Sequence, residues 1–221
     1  MTPFTDDQSQ VSEVRLARLI RSLMPLQPRG YLVCGDLGEF TSLTNSERKS
    51  VLEVTMRECA GVVPVWVNVT TITSMAAMDL AQHAAHHGVA GCVAMPPYYG
   101  DLTQEELVHH FRMIAKFGPA QMIIVDPKGS LNQDSKDQLA QFSGSSLANG
   151  TLDDFTCEAA TCSSGGLLSP ENPATATQNM KTHGLARFAK AVLQYRDLDV
   201  GPTRAPSQLT PVEVVRDCLA K

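Results

Sequence analysis

Apolar residues recur along this chain in two alternating patterns, one typical of amphipathic helices and one typical of buried strands. Over residues 12–24 they fall three to four positions apart, which predicts a helix, and the apolar run at 31–34 then predicts a strand. The alternation continues, with strands predicted at 64–69, 91–95 and 121–126 and helices predicted at 46–60, 73–87 and from Thr103 onward.

The predicted strands begin at Tyr31, Pro64, Gly91 and Gln121, so one strand-helix unit recurs about every thirty residues. This cadence predicts successive βα units and a parallel sheet, in either an open doubly wound sheet or a (β/α) barrel. Beyond Pro127 the sequence predicts a polar helix at 130–142, a loop rich in Ser, Gly and Asn at 143–154, a short strand at 166–169 and helices at 174–182, 185–195 and 211–220.

We therefore predict a βα domain over residues 1–170 and a helical C-terminal segment, 171–221, packed on it.

The chain is 43% hydrophobic and carries a net charge of −5, which argues against a nucleic-acid partner because phosphate binding favours a basic face. The apolar runs fall short of the ~20 residues of a bilayer span, and the first residues lack a basic segment followed by an apolar one, so we expect a cytoplasmic protein without membrane association.

The first βα unit contains the leading candidate site. Gly35, Asp36, Leu37, Gly38 and Glu39 form a glycine-rich loop directly after the strand at 31–34. The helix that follows begins with a capping-box pair, a threonine followed three residues later by a glutamate. Because ligands collect at the carboxyl ends of parallel strands, this loop is the first place to expect one.

Cysteine and histidine residues do not form a recognisable metal motif. Cys34 and Cys92 lie in apolar strands and are interpreted as core thiols, whereas Cys157 and Cys162 could form a redox pair or half of a metal site, with reduced structural thiols as the simpler interpretation. Two histidines, 83 and 87, have the i, i+4 spacing of H-E-x-x-H without its glutamate. We therefore predict no metal and no cofactor.

Several segments resemble, in their order, the dihydrodipicolinate synthase and N-acetylneuraminate lyase family of pyruvate-handling lyases. They are Thr2-Pro3-Phe4, Gly35-x-x-Gly38-Glu39, Pro97-Tyr98-Tyr99, Gln104-Glu105-Glu106-Leu107 with His110-Phe111, and Arg204-Ala205-Pro206 with Leu209-Thr210-Pro211. The resemblance implies a (β/α)8 barrel, usually oligomeric, in which a lysine forms a Schiff base with a 2-oxo acid. It also implies that Gly35 to Gly38 and Tyr98 bind the substrate and that Tyr99 relays protons. A packing role at an interface is an equally weighted interpretation of the two tyrosines, because tyrosines after paired prolines are common interface residues.

Three family features are replaced or missing. Asp36 and Leu37 stand where the family has two hydroxyl residues that hold the substrate carboxylate, and Ile124-Val125-Asp126-Pro127 stands where it has a tyrosine in Y-N-x-P. The segment with the Schiff-base lysine is not found, because Phe142-Ser143-Gly144 already resembles the family's next strand. Lys128, at the end of a predicted strand, is the candidate replacement amine, and a solvated turn lysine is the alternative interpretation.

At ~30 residues per βα unit, residues 1–170 hold between five and six units, whereas a closed barrel has eight. We therefore expect an incomplete TIM-barrel-like fold, completed by a homo-oligomeric partner or by rearrangement. Two functional hypotheses follow. One is a divergent aldol-type lyase or synthase acting on pyruvate or another 2-oxo acid, and the other is a catalytically inactive relative that serves as a binding or assembly scaffold.

Overall fold

The structure, a computed structural model, describes residues 1–142, 144–148, 178 and 182–219. The strands in this part are β1 (Tyr31–Val33), β2 (Val65–Asn68), β3 (Gly91–Ala94), β4 (Met122–Val125) and β5 (Ser145–Ala148). All pair in parallel, each with the next in sequence, in the order β1-β2-β3-β4-β5. A doubly wound sheet reverses its strand order at a switch point. Here the spatial order of the strands follows their order in the chain without any reversal, as it does in a (β/α) barrel.

The helices begin and end close to the residues that the sequence predicts. They are α1 (Glu13–Leu23), α2 (Asn45–Cys59), α3 (Ser74–His86), α4 (Gln104–Phe117), α5 (Gln133–Ala140), α6 (Leu185–Tyr195) and α7 (Val212–Leu219). Thr44 and Thr103 form complete capping boxes with the glutamates three residues later, which satisfies backbone N–H groups at the starts of α2 and α4. None of the described helices has the length and apolar character of a membrane span.

Helices α1 to α5 pack each against the next and cover one face of the sheet. Their buried stripes join the strands in one apolar core, in which Leu107, Phe111 and Ile114 of α4 are at most 4% exposed. Burial of side chains of this size contributes roughly 1.5–3 kcal/mol each. On the opposite face Leu32, Trp66 and Ile123 are partly buried, whereas Val93 is fully buried.

The segment predicted as a loop at 143–154 contains a strand instead. Ser145–Ala148 forms β5, in which Ser145 pairs with Met122 and Ala148 with Val125 of β4. Its serines do not favour a strand, and the neighbouring β4 determines its conformation by offering free backbone groups. The Ser145 hydroxyl also donates to the carbonyls of Leu139 and Phe142, which fixes the chain as it leaves α5.

The C-terminal helices pack near the start of the chain. Phe188 of α6 and Val215 of α7 form a small apolar cluster with Leu37, and Leu193 of α6 packs with Leu19 of α1. The predicted strand at 166–169, most of the predicted helix at 174–182, and both Cys157 and Cys162 lie outside the described residues.

Candidate functional site

A cavity of about 310 Å³ opens at the carboxyl ends of the strands. Its wall is formed by the segments that follow β1, β3 and β4, and it is the place at which a parallel sheet usually binds a ligand. The residues that line it are Asp36, Phe40, Thr41, Met95, Pro96, Pro97, Tyr98, Gly100, Asp126, Pro127, Lys128 and Ser130. Of the residues that sequence analysis singles out, the structure brings Asp36, Tyr98 and Lys128 together around this cavity.

The loop after β1 is held in a tight turn. The amide of Gly38 donates to the carbonyl of Gly35 at 2.9 Å, and the hydroxyl of Thr2 donates to the carbonyl of Gly38 at 2.6 Å. A side chain at Gly38 would lie 3.1 Å from the backbone of Cys34, so the close turn favours glycine. The turn directs Asp36 toward the cavity, whereas Leu37 packs against the C-terminal helices.

Glu39, the last residue of this loop motif, is buried in an ion pair. Its Oε1 atom lies 2.5 Å from Nζ of Lys190, and Lys190 also donates to the carbonyl of Pro202 at 2.8 Å and lies 4.5 Å from the centre of the Phe4 ring. Burial lowers the pKa of Lys190, and the carboxylate of Glu39 partly opposes that effect. Lys190 is fully buried and does not line the cavity, so Glu39 and Lys190 form a structural link between the loop and α6.

The loop after β3 presents two tyrosines in different ways. Tyr98 lines the cavity and is 43% exposed, whereas Tyr99 is 77% exposed and lies outside the cavity lining. Upstream, the amide of Met95 donates to the hydroxyl of Thr70 at 3.0 Å, which joins this loop to the end of β2. In this arrangement Tyr98, rather than Tyr99, can contact a ligand in the cavity.

The turn after β4 presents Lys128 at the rim of the cavity. The carboxylate of Asp126 accepts hydrogen bonds from the amides of Ser130 at 2.8 Å and Leu131 at 2.9 Å, which closes the turn around Lys128. Lys128 itself is exposed. It therefore has access to the cavity without the burial that activates a nucleophilic lysine.

Beside the cavity lies Arg48, a cation that sequence analysis did not identify. It extends from α2 and donates to the carbonyls of Thr70 at 2.8 Å and Asn68 at 2.6 Å, and its guanidinium lies 5.6 Å from the centre of the Phe40 ring. Burial lowers the pKa of Arg48, and its Nε atom is buried without a hydrogen-bond partner. The other charged residues of α2 are exposed or only partly buried, and no sequence pattern distinguishes Arg48 from them.

Taken together, the cavity has two carboxyl groups, one amine and one phenol on its wall, with Phe40 and Met95 as apolar surface. Such a set can bind a small polar molecule through ion pairs and hydrogen bonds. In the described part of the chain, the fully buried lysine, Lys190, lies away from the cavity. The lysine that lines the cavity, Lys128, is exposed. Neither of these two lysines is both buried and on the cavity wall.

Comparison with known proteins identifies the family. The model of the Dihydrodipicolinate synthetase family matches residues 1–142. A 4-hydroxy-tetrahydrodipicolinate synthase from Rhizobium meliloti is 31% identical over 129 residues, which are 58% of this chain and 44% of that protein. The chain thus spans less than half the length of this relative.

Solved structures share the fold at low identity. An N-acetylneuraminate lyase from Mycoplasma synoviae aligns with a TM-score of 0.79 and 17% identity, covering 100% of this chain and 93% of that one. A catalytic lysine mutant of a Ruminococcus gnavus sialic acid aldolase aligns with a TM-score of 0.81 and 16% identity, covering 99% and 92%. With a parallel barrel-like sheet and a family match over most of its length, this chain belongs to the dihydrodipicolinate synthetase family.

Proposed function

We propose that this protein binds a small 2-oxo acid in the cavity at the carboxyl ends of its strands, and does so without forming a Schiff base. The observation that carries the proposal is the convergence of Tyr98 and Lys128 on one cavity in a member of a lyase and synthase family. Lys128 supplies a positive charge for the ligand carboxylate, and the Tyr98 hydroxyl supplies a hydrogen bond. In this role the chain is a catalytically inactive relative that keeps the ligand position of its family.

A second candidate function is supported by the position of Lys128. It is the lysine that lines the cavity in the described part of the chain, so it is the amine that a divergent aldol-type lyase or synthase would use here. The sialic acid aldolase named above has a catalytic lysine, and a relocated amine would preserve that chemistry. Against this candidate stands the exposure of Lys128, since desolvation is what frees an amine to attack a carbonyl at neutral pH.

Two measurements on the same sample separate these functions. Calorimetry with pyruvate tests binding, and treatment of the mixture with borohydride followed by peptide mass mapping tests for a covalent adduct. Saturable binding without an adduct supports the proposed function, whereas an adduct on Lys128 that is lost in Lys128→Arg establishes the second candidate. Absence of binding by pyruvate and by longer 2-oxo acids contradicts both.

We also propose that the chain forms a homo-oligomer through the loops at this end of the sheet. Large apolar side chains are exposed on the segments that follow β2 and β3, namely Ile72 at 50%, Met75 at 66% and Tyr99 at 77%. Association would remove this surface from water. Light scattering on the protein and on Met75→Ser/Tyr99→Ser tests the proposal. A wild-type protein that is monomeric, or a variant with unchanged mass, contradicts it.

A further inference from the structure

Two helices of the outer layer bring three metal-ligating side chains together, away from the cavity. Glu53 extends from α2, and His83 and His87 extend from the end of α3. The i, i+4 spacing of the histidines places both imidazoles on one helix face. One possible ligand atom from each of the three residues lies within 4.8 Å of the other two.

The distances are close to those of a metal centre. Nε2 of His83 lies 3.2 Å from Oε1 of Glu53, and Nε2 of His87 lies 3.9 Å from the same oxygen. With metal-ligand bonds of about 2.0–2.1 Å, tetrahedral geometry separates neighbouring ligand atoms by about 3.3 Å. The first separation fits this value, and the second is about 0.6 Å longer.

His83 has a ring nitrogen whose hydrogen-bonding capacity is unused. Its Nε2 atom is buried yet makes no hydrogen bond, although the carboxylate of Glu53 lies within 3.2 Å. An unused imidazole nitrogen beside a carboxylate offers two of the donor atoms that a metal ion needs.

The charges around the three residues permit a cation. Lys49, one turn before Glu53 on α2, is paired with Asp79 of α3 at 2.8 Å, so its positive charge is compensated. The side chains of Glu53 and His87 are 50% and 31% exposed, which leaves an entry path and a fourth coordination position for water.

We propose that Glu53, His83 and His87 form a binding site for a divalent transition-metal ion, with Zn²⁺ as the first candidate. Two imidazoles and one carboxylate suit Zn²⁺ and its neighbours in the first transition series better than Mg²⁺ or Ca²⁺. The site bridges α2 and α3 near the end of α3, and therefore lies toward the amino-terminal ends of the strands, opposite the cavity. It does not depend on the proposed 2-oxo acid function.

Calorimetric titration of the full chain with Zn²⁺ tests the site. We expect one equivalent that is weakened at least about tenfold in His83→Ala, in His87→Ala and in Glu53→Gln, because each removes one of three ligands. Glu53 is half exposed, so Glu53→Gln keeps the fold, and circular dichroism verifies this. His86→Ala is the matched control, since His86 is an exposed neighbour outside the three residues; it should keep the wild-type affinity.

Titration with Co²⁺ adds a readout of geometry, because tetrahedral cobalt absorbs visible light strongly. That band should appear in the wild type and in His86→Ala and be absent from His83→Ala. The proposal is wrong where the wild type binds no Zn²⁺, where binding survives unchanged in Glu53→Gln and His83→Ala, or where His86→Ala weakens it equally.

Discussion

Lys190 of α6 and Glu39 of the loop after β1 form a buried ion pair, with Nζ 2.5 Å from Oε1 and the two side chains 0% and 6% exposed. The pair connects the C-terminal helices to the loop that carries Asp36 into the cavity. Because a buried charge without its partner is costly, the geometry of this loop depends on a residue far away in the sequence.

Removal of one partner should destabilise the protein more than removal of both. Lys190→Met leaves the Glu39 carboxylate buried and unpaired, so we expect a loss of roughly 3–5 kcal/mol in the free energy of unfolding. The double variant Glu39→Gln/Lys190→Met should recover much of that loss. Urea unfolding followed by circular dichroism measures both. Equal losses in the single and the double variant would contradict the ion-pair account.

The two central residues of the glycine loop should respond differently to substitution. Asp36→Thr removes a carboxylate from the cavity wall and should strengthen binding of a 2-oxo acid, because repulsion of the ligand carboxylate is relieved. Leu37→Thr should leave affinity unchanged and lower stability by about 1 kcal/mol, since Leu37 packs against the C-terminal helices. Calorimetry with pyruvate and urea unfolding give the two values. Weaker binding in Asp36→Thr would show that the carboxylate serves the ligand.

We expect Arg204 to contribute to the stability of the fold, unlike most exposed charged residues. Its guanidinium donates to the carbonyls of Gln8, Ser9 and Ser42 and pairs with Glu47, the capping-box glutamate of α2, at 2.7 Å. Arg204→Lys cannot reproduce these donors, so we expect a loss of about 2 kcal/mol or more. Arg21, an exposed arginine, provides the matched control: Arg21→Lys should leave unfolding nearly unchanged.

His110 should make the protein less stable in acid. Burial, with a smaller effect of His109, lowers the pKa of His110 from 6.5 to about 4 in the folded protein. Between these values the unfolded chain binds the proton more readily, so stability is retained above pH 6.5 and lost as the pH falls toward 4.

At pH 4.5 the loss from this group should be about 2–3 kcal/mol relative to pH 7. His110→Asn keeps an acceptor near the Ser74 hydroxyl, which lies 2.9 Å from Nδ1 of His110, and does not titrate. Unfolding of both proteins at pH 7 and pH 4.5 should show the smaller decrease in His110→Asn. An equal decrease in both would assign the acid sensitivity to other groups.

The parallel sheet and its helices could be predicted because local signals agree with the final packing. The capping box of Thr44 and the apolar stripe of α4 determine local structure through contacts within a few residues. Composition predicted a loop in place of β5, because pairing with β4 makes Ser145–Ala148 a strand; the family resemblance of Phe142-Ser143-Gly144 did indicate a strand at this point.

The candidate site was only partly predictable for the same physical reason. Asp36 and Lys128 follow strands, so topology alone brings them to one end of the sheet. Outside the cavity, the contacts of Lys190 and Glu53 could not be predicted from strand order, because their partners come from other elements. Lys190 pairs with Glu39 of a distant loop, and Glu53 lies beside His83 of the next helix. In the H-E-x-x-H pattern the glutamate is a general base on the same helix as the two histidines, whereas the carboxylate beside His83 belongs to the neighbouring helix.

The location of the ligand can be measured directly with methyl NMR. Met95 lines the cavity, whereas Met75 is 66% exposed and lies outside its lining. In protein labelled with ¹³C at the methionine methyl groups, addition of pyruvate should shift the Met95 resonance in a saturable way and leave that of Met75 unchanged, with Met95→Leu used for assignment. An unchanged Met95 resonance at saturating pyruvate would contradict the claim that this cavity binds the 2-oxo acid.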